Sequence, residues 1–464
     1  MQQRHFIPVV LAAVLTAATL APLPARAQQS SDITFDDAIA AFNYGDNDQA
    51  NKDFYKLAGT GDPRAQYYLA YMLDAGLGTG QDVNSAANWY RKSADQEYLP
   101  AVVYMGYIYS TGHGVQRDDK MAFKWYTKAA QMGDAIAQNN LATMLRLGRP
   151  YAKNLPLAAQ WFLQSAMQGN MRAQYNLATM YRLGDGIPKN EAEAVRWYTY
   201  AANQGDMYAQ NALGYMYRNG LGVAKDTQAA LDWYRRAAEQ GHVASQMTIA
   251  LMYEMGEAGA NGGINEAFTW YIHAAEQGNE KAMHRLGYMY ETGPDKVTGA
   301  GIQQDYKEAL RWYKMAADDK NYPPSMVALA SMYELGKGTR QDVLKARQYY
   351  EKAANYGDIF AQISLASMYR DGIGVTKDPI KAYTWYRIAG SQLQPNNLLH
   401  NMTSAETDMN AEVAKNSQTL SGQLSPSDRT NAERQANIFH PASPVPVRSG
   451  GGTNPKDQPL VYDK

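Results

Sequence analysis

The chain has 464 residues, with 44 Lys and Arg against 45 Asp and Glu, and it contains no cysteine. The absence of cysteine excludes disulfide bonds, thiolate zinc sites and thiol nucleophiles. A formal net charge of -1 without long charge runs argues against a nucleic-acid partner, and it gives no reason to expect binding to an anionic membrane surface.

Residues 1–27 have the three parts of a secretory signal peptide. Arg4 precedes a mostly apolar run from Phe6 to Leu20, and the small-residue pattern Ala25-Arg26-Ala27 follows. The alternative is a retained membrane anchor, but the run is short for a membrane span and nothing apolar follows it. We therefore expect cleavage near Ala27, no transmembrane segment in the mature chain, and a soluble protein that is periplasmic or secreted.

A repeat of about 36 residues organises most of the chain. Its eight tryptophans occur at intervals of 36, 36, 36, 36, 37, 42 and 73 residues, and Tyr349 stands where one tryptophan is missing. Self-similarity at this period predicts stacked helix pairs, because a single pair cannot bury its own apolar face. The tryptophans are accordingly predicted to be structural: Trp89, Trp125, Trp161, Trp197, Trp233, Trp270, Trp312 and Trp385.

The repeat pattern is clearest between Ala209 and Gly241. A first helix is predicted up to about Asn219, a glycine-containing turn follows at 220–223, and a second helix covers about Thr227 to Gln240. The segments Ala-x-x-x-Leu-Gly-x-Met-Tyr, Gly-x-Gly-Val and Trp-Tyr…Ala-Ala…Gln-Gly resemble the Sel-one-like repeat (SLR), a relative of the tetratricopeptide repeat, in its exported bacterial type. The resemblance covers residues 65–391 and implies an all-α, right-handed α/α solenoid of nine SLR helix-pair repeats.

The segments outside the repeats are predicted to cap this stack. Residues 28–64 form a linker and a degenerate N-terminal cap repeat, in which Phe54-Tyr55 replaces Trp-Tyr. Residues 392–440 form C-terminal capping helices, the last begun by Ser425-Pro426-Ser427-Asp428. Residues 441–464 are rich in Pro, Gly and Ser and are predicted to be disordered.

Several repeats depart from the pattern, and in the third repeat Pro150 replaces the second glycine of the turn. The sixth has an irregular turn at 256–263, and the seventh has an insertion that contains Pro294 to Thr298. The eighth is preceded by Tyr322-Pro323-Pro324, which is predicted to be a linker extension.

One face of the first helices carries the candidate partner-binding residues. Positions offset by two from the buried alanine and leucine recur at i, i+4 and i+7 and are expected to face away from the core. First helices line the concave side of SLR proteins, so the resemblance implies a groove with a basic part and an acidic part. A solvated helix face, with arginine favoured by the helix dipole, is the alternative. The residues are Asn139, Thr143, Arg146, Tyr175, Thr179, Arg182, Asn211, Tyr215, Arg218, Glu254, Glu291 and Glu334, and the ninth repeat reverts to Arg370.

No catalytic or metal-binding pattern is evident, and we expect no cofactor. Gly336-Lys337-Gly338-Thr339 lacks the complete phosphate-loop motif, and the histidines lack ligand spacing. The resemblance implies a non-catalytic adaptor or scaffold in the cell envelope that binds an extended protein or polysaccharide partner. The alternative is a β-lactam-binding or hydrolysing enzyme, as in a cysteine-rich SLR branch whose repeats carry disulfides that this chain lacks.

Overall fold

The computed structural model describes residues 33–257, 263–294, 301–393 and 404–442, and the regular structure in these ranges is helical throughout. The predicted signal peptide, most of the predicted tail and residues 295–298 of the seventh-repeat insertion lie outside the described residues. None of the helices in the described ranges is long and apolar enough to cross a membrane. The described chain divides into two compact blocks, one ending at Lys225 and the other beginning at Asp226.

The first block is built from antiparallel helix pairs. One pair precedes the repeats, and the other helices alternate as the repeat pattern predicts, with a first helix and then a second helix in each repeat. The bounds are α1 Phe35–Asn43, α2 Asn47–Gly59, α3 Pro63–Ala75, α4 Val83–Asp95, α5 Leu99–Thr111, α6 Asp119–Gln131, α7 Ala135–Leu147, α8 Leu155–Met167, α9 Met171–Leu183, α10 Glu191–Asn203 and α11 Met207–Asn219.

The second block continues the alternation and ends in two helices that lack the repeat pattern. The bounds are α12 Thr227–Glu239, α13 Val243–Glu254, α14 Gly263–Glu276, α15 Glu280–Thr292, α16 Tyr306–Lys314, a π-helical segment Met315–Asp319, α17 Pro323–Leu335, α18 Val343–Asn355, α19 Ile359–Asp371, α20 Pro379–Gln392, α21 Ser404–Gln423 and α22 Pro426–Asn437. The pairs from α3/α4 to α19/α20 correspond to the nine predicted repeats, and the all-α fold class is confirmed.

Capping residues set the boundaries of many of the repeat helices, as α9 illustrates. The side chain of Asn170 accepts a hydrogen bond from the backbone N–H of Ala173 at 2.9 Å, which satisfies one of the unpaired donors of the first turn. At the other end Gly184 adopts a left-handed φ of 71°, and its N–H donates to the carbonyl of Met180. The helix therefore has the 13-residue length that recurs along the chain.

The aromatic pair of the second helix is buried in an order that the sequence does not show. Trp197 is 8% exposed, whereas Tyr198 at the next position is 1% exposed. The deepest large side chains include the corresponding tyrosines of other repeats: Tyr90, Tyr126, Tyr271, Tyr313 and Tyr386. The tryptophan thus packs at the edge of the core and the tyrosine at its centre.

Buried glutamines link consecutive helices. The side-chain amide of Gln174 in α9 donates to the carbonyl of Ala166 in α8 at 3.2 Å. Its oxygen accepts a hydrogen bond at 2.7 Å from Gln204, at the end of α10. An unpaired buried amide is costly, so these two hydrogen bonds fix the first helix against the second helices on both sides.

The second glycine of the turn is required by the neighbouring repeat. Gly222 has a φ of 67°, and a Cβ atom placed on it would lie 2.3 Å from the carbonyl oxygen of Glu191. No side chain fits at that distance, so the turn packs directly on the first residue of α10. The pattern Gly-x-Gly therefore reports inter-repeat packing as well as backbone conformation.

The extension before the eighth repeat is not the linker that the sequence predicts. Tyr322 is the N-cap of α17, and Pro323 and Pro324 form its first turn. Prolines fit there because the first N–H groups of a helix have no intrahelical partner. The second helix of the seventh repeat instead accommodates the extra length, because it continues as a π-helical segment at Met315–Asp319.

The C-terminal helix begins where the sequence predicts. Ser425 is the N-cap of α22, its hydroxyl accepts from the N–H of Asp428 at 3.1 Å, and Pro426 is the first helical residue. Between α20 and α22, residues 404–423 form α21, and residues 394–403 lie outside the described residues.

Candidate functional site

The twelve candidate residues, called the stripe below, lie on the first helices, but part of the stripe is not on the solvent-facing surface that we expected. Asn139 and Thr179 are buried, with 7% and 9% of their surface exposed. The arginines and glutamates of the stripe are half-buried, whereas Tyr215 is 47% exposed. Spacing within one helix does not account for the second helix of the same repeat, whose side chains reach across the stripe.

A tyrosine hydroxyl from the second helix contacts the residue that closes the stripe. In the fourth repeat, Arg182 Nε donates to the hydroxyl of Tyr198 at 3.4 Å, and Thr179 hydrogen-bonds with the same hydroxyl at 2.9 Å. The second block repeats the contact with either sign of charge: Tyr271 with Glu254 at 2.7 Å, Tyr313 with Glu291 at 3.1 Å, Tyr350 with Glu334 at 3.1 Å, and Arg370 with Tyr386 at 3.1 Å.

The chemistry of the hydroxyl explains why both Arg and Glu occupy this position. A phenol donates one hydrogen bond and accepts others, so it serves as acceptor for a guanidinium and as donor for a carboxylate. Burial raises the pKa of Tyr271, and the hydrogen bond and charge of Glu254 raise it further. The tyrosine therefore stays protonated and remains a donor to the acid.

In the second block two acids of the stripe also have internal cations. Glu254 pairs with Arg285 across the stack, and Lys337 Nζ lies 3.0 Å from Glu291 Oε1. The first pair connects the first helices α13 and α15, the second connects α15 to the turn after α17, and both are partly screened from water. They use carboxylate oxygens that a partner would otherwise contact.

Arg146 in the third repeat is the exception. Its counterpart in the second helix is Phe162, which has no hydroxyl, and the guanidinium carbon lies 6.0 Å from the centroid of that ring. Within the described ranges Arg146 forms no ion pair or hydrogen bond, and its buried Nε has no acceptor. Burial lowers the pKa of Arg146, while the charges of Asp185 and Tyr175 oppose the shift. The site therefore holds a cation with unused donor capacity.

Tyr175, whose charge acts on Arg146, lies beside further aromatic rings of the first block. The ring of Tyr175 is 5.6 Å from that of Tyr198 and 6.3 Å from that of Tyr208. Tyr208 and Tyr215 expose 39% and 47% of their surface. Exposed tyrosines beside an arginine are typical of interaction surfaces, because they offer large contact area and a polar end.

The stripe also extends further toward the N-terminus than the sequence argument recognised. The same spacing in the first repeat selects Tyr67, Tyr71 and Asp74. Asp74 is buried, accepts from the hydroxyl of Tyr104 at 2.7 Å, and is bonded to His113 from the next turn. Applying the i, i+4, i+7 spacing to the first two repeats would have found these residues.

No group of three or more His, Asp or Glu side chains in the described parts of the chain could hold a metal ion. Three histidines have structural hydrogen-bond partners: His113, His242 and His284. His284, for example, hydrogen-bonds with the Ser325 hydroxyl at 3.0 Å, and burial lowers the pKa of its ring to about 4.

The fold and the repeat chemistry define a class, helical-repeat proteins, and comparison with known proteins defines the family. The Sel1 repeat model matches nine segments, at residues 63–98, 99–134, 135–170, 172–206, 208–242, 243–279, 280–321, 323–358 and 359–392. The chain belongs to the Sel1 repeat family, and the predicted number of repeats is confirmed.

Solved structures and one curated protein show the same kinship. A protective antigen of uropathogenic Escherichia coli with an SLR fold is 30% identical, with a TM-score of 0.65, over 87% of this chain and 84% of that one. A Sel1 repeat protein from Oxalobacter formigenes is 26% identical, with a TM-score of 0.53, over 75% and 97%. Protein sel-1 homolog 2 of Rattus norvegicus is 43% identical over 56 residues, which are 12% of this chain and 8% of the rat protein.

Family membership indicates the general kind of function. Sel1 repeat proteins generally mediate protein–protein interactions, and their helical-repeat fold is typically non-catalytic. Stacked repeats suit this role because they present extended surfaces to a partner.

Proposed function

We propose that the protein is a non-catalytic adaptor of the cell envelope that binds an extended partner along its first helices. The observation that carries this proposal is Arg146, a half-buried guanidinium with an unused buried donor. A desolvated charge without a partner is costly, and a bound acceptor removes that cost. The signal-like residues 1–27 support export to the periplasm or beyond.

The surface favours an acidic segment of a protein as the partner. Arg146 and Arg182 supply positive charge with Tyr175 beside them, and Tyr208 and Tyr215 supply exposed aromatic area in the same block. The acids Glu254, Glu291 and Glu334 complete the stripe in the second block. We expect these acids to contribute less to partner binding, because internal tyrosines and cations already use their carboxylates.

Affinity purification from an envelope extract tests the proposal, with wild type compared to Arg146→Ala and Arg370→Ala. Arg370 is the matched control, because it bonds internally to Tyr386 and to Asn416 at 2.9 Å. We expect a protein partner that wild type retains, that Arg146→Ala loses, and that folded Arg370→Ala retains.

Equal recovery on wild type and Arg146→Ala would contradict the assignment of the surface. A retained partner that resists protease and is degraded by glycosidases would replace the protein partner with an envelope polysaccharide. Export is tested separately: the mature chain should begin near Gln28 and be released by osmotic shock without detergent.

A further inference from the structure

A small cleft at the eighth repeat concentrates lysine side chains. Its volume is about 170 Å³, well below the several hundred Å³ of sites for drug-sized ligands. A cleft of this size holds a compact chemical group. Six residues line it: Lys314, Tyr333, Lys345, Gln348, Tyr349 and Lys352.

Three helices bring these residues together within the second block. Lys345, Gln348 and Lys352 follow the i, i+3, i+7 spacing of one face of α18. Tyr333 comes from α17, and Lys314 is the last residue of α16, immediately before the π-helical segment. The extra residues of that segment thus lie directly beside the cleft.

The cleft lies at the one repeat whose tryptophan is missing. Tyr349 takes the tryptophan position, and its ring stacks on that of Tyr333 with centroids 5.9 Å apart and planes 5° from parallel. The Tyr349 hydroxyl donates to Asp318 in the π-helical segment, at 3.0 and 3.1 Å to its two oxygens. A phenol ring is smaller than an indole, so the exchange leaves room that the other repeats fill.

Among the described residues, only one of the three lysines forms an ion pair with a carboxylate. Lys345 Nζ lies 3.6 Å from Asp342, an exposed i, i+3 pair of the kind that contributes little. Lys314 and Lys352 form no ion pair or hydrogen bond with the described residues, although Lys352 Nζ lies 5.2 Å from the Tyr349 ring centroid. Asp318 lies beside Tyr349, whose hydroxyl donates to its carboxylate oxygens.

The ninth repeat shows the same positions without the cleft chemistry. Lys381 lies 5.2 Å from the ring of Tyr369, as Lys345 does from Tyr333. However, the tryptophan is present as Trp385, and the residue equivalent to Lys314 is Glu351. The three-lysine cluster is therefore specific to the eighth repeat and is not a general feature of the stack.

We propose that this cleft binds the phosphate group of a phosphate monoester. Such a group carries a charge of about −1.5 to −2 near pH 7 and has three acceptor oxygens, which suits three ammonium groups. Gln348 adds an amide, and the stacked tyrosines give the cleft a flat wall. The site is separate from the stripe and does not depend on the adaptor function.

Isothermal titration of the full chain with inorganic phosphate, glucose 6-phosphate and glucuronate tests the proposal. We expect saturable binding of the two phosphates that falls about tenfold or more in Lys314→Ala and in Lys345→Ala. Tyr349→Trp restores the repeat consensus and should abolish binding by filling the cleft. Lys381→Ala, the matched exchange in the ninth repeat, should bind as wild type does.

Thermal denaturation of each variant establishes that it is folded. No saturable binding of either phosphate to wild type would overturn the proposal. Equal binding by wild type, Lys314→Ala and Tyr349→Trp would also overturn it, and glucuronate binding as tightly as glucose 6-phosphate would contradict the assignment of a dianion.

Discussion

The guanidinium carbon of Arg146 lies 6.0 Å from the centroid of the Phe162 ring, at a position where other repeats bring a tyrosine hydroxyl. In the fourth repeat that hydroxyl contacts both Arg182 and Thr179. One missing oxygen therefore distinguishes an arginine used inside the fold from an arginine with a free donor.

Replacing Phe162 by Tyr should stabilise the protein. The new hydroxyl would find Thr143 and Arg146 at the positions that Thr179 and Arg182 occupy in the next repeat. One added hydrogen bond is worth about 0.5–1.5 kcal/mol, measured as an increase in the free energy of unfolding by denaturant titration. A loss of stability would show that the third repeat has no room for the oxygen, and it would remove the explanation given for Arg146.

Substitutions in the aromatic pair of the fourth repeat should separate the contribution of packing to stability from that of hydrogen bonding. Trp197→Ala should lower the free energy of unfolding by about 3–5 kcal/mol, because it removes a large buried ring. Tyr198→Phe should cost only about 0.5–1.5 kcal/mol, the value of its hydroxyl contacts. Because repeat stacks can melt locally, hydrogen exchange should accompany the thermal scans. A Trp197→Ala protein as stable as wild type would refute the structural role.

Two glycines of the first block with positive φ should respond differently to alanine. A Cβ at Gly205, with φ of 100°, meets no atom within 4 Å, whereas one at Gly222 lies 2.3 Å from the Glu191 carbonyl oxygen. Both exchanges carry backbone strain of about 1–2 kcal/mol. Gly222→Ala should cost roughly 1–3 kcal/mol more, because overpacking adds to the strain. Equal losses in chemical denaturation would mean that the turn does not pack on α10 as described.

The pair formed by Asp74 and His113 should make stability depend on pH. The hydrogen bond and charge of Asp74 raise the pKa of His113 above its usual 6.5, against the effect of burial. A raised folded-state pKa gives stability that is fully present below pH 6.5 and is lost as pH rises through the folded-state value. Unfolding followed between about pH 6 and 9 should show this loss in wild type. His113→Gln should remove it, and an unchanged pH profile in that variant would contradict the assignment.

The periodicity of the sequence was sufficient to predict the fold. Eight tryptophans in phase and the Gly-x-Gly turns predict nine helix pairs, and the structure contains them. The prolines at 323 and 324 were misinterpreted, since they are equally compatible with a linker and with the first turn of a helix. Local sequence does not show that the preceding helix takes up extra residues in a π-helical segment.

The candidate site was less predictable than the fold. Helical spacing placed Thr179 and Arg182 on one face of a first helix, but their contacts depend on a tyrosine hydroxyl from another helix. That contact joins residues 16 positions apart on two helices, so the periodicity of a single helix does not reveal it. The sequence shows that Phe162 has no hydroxyl. Only the structure shows that Arg146 is the residue that lacks a contact as a result.

The most direct test of the account is the affinity of the purified partner for four proteins: wild type, Arg146→Ala, Phe162→Tyr and the double variant. The added hydroxyl should occupy the free donor of Arg146, so Phe162→Tyr should weaken binding several-fold in wild type. It should have no effect in the Arg146→Ala background, where binding is already roughly tenfold weaker or more. If Phe162→Tyr weakens binding equally in both backgrounds, or if Arg146→Ala binds as wild type does, Arg146 is not the group that recognises the partner.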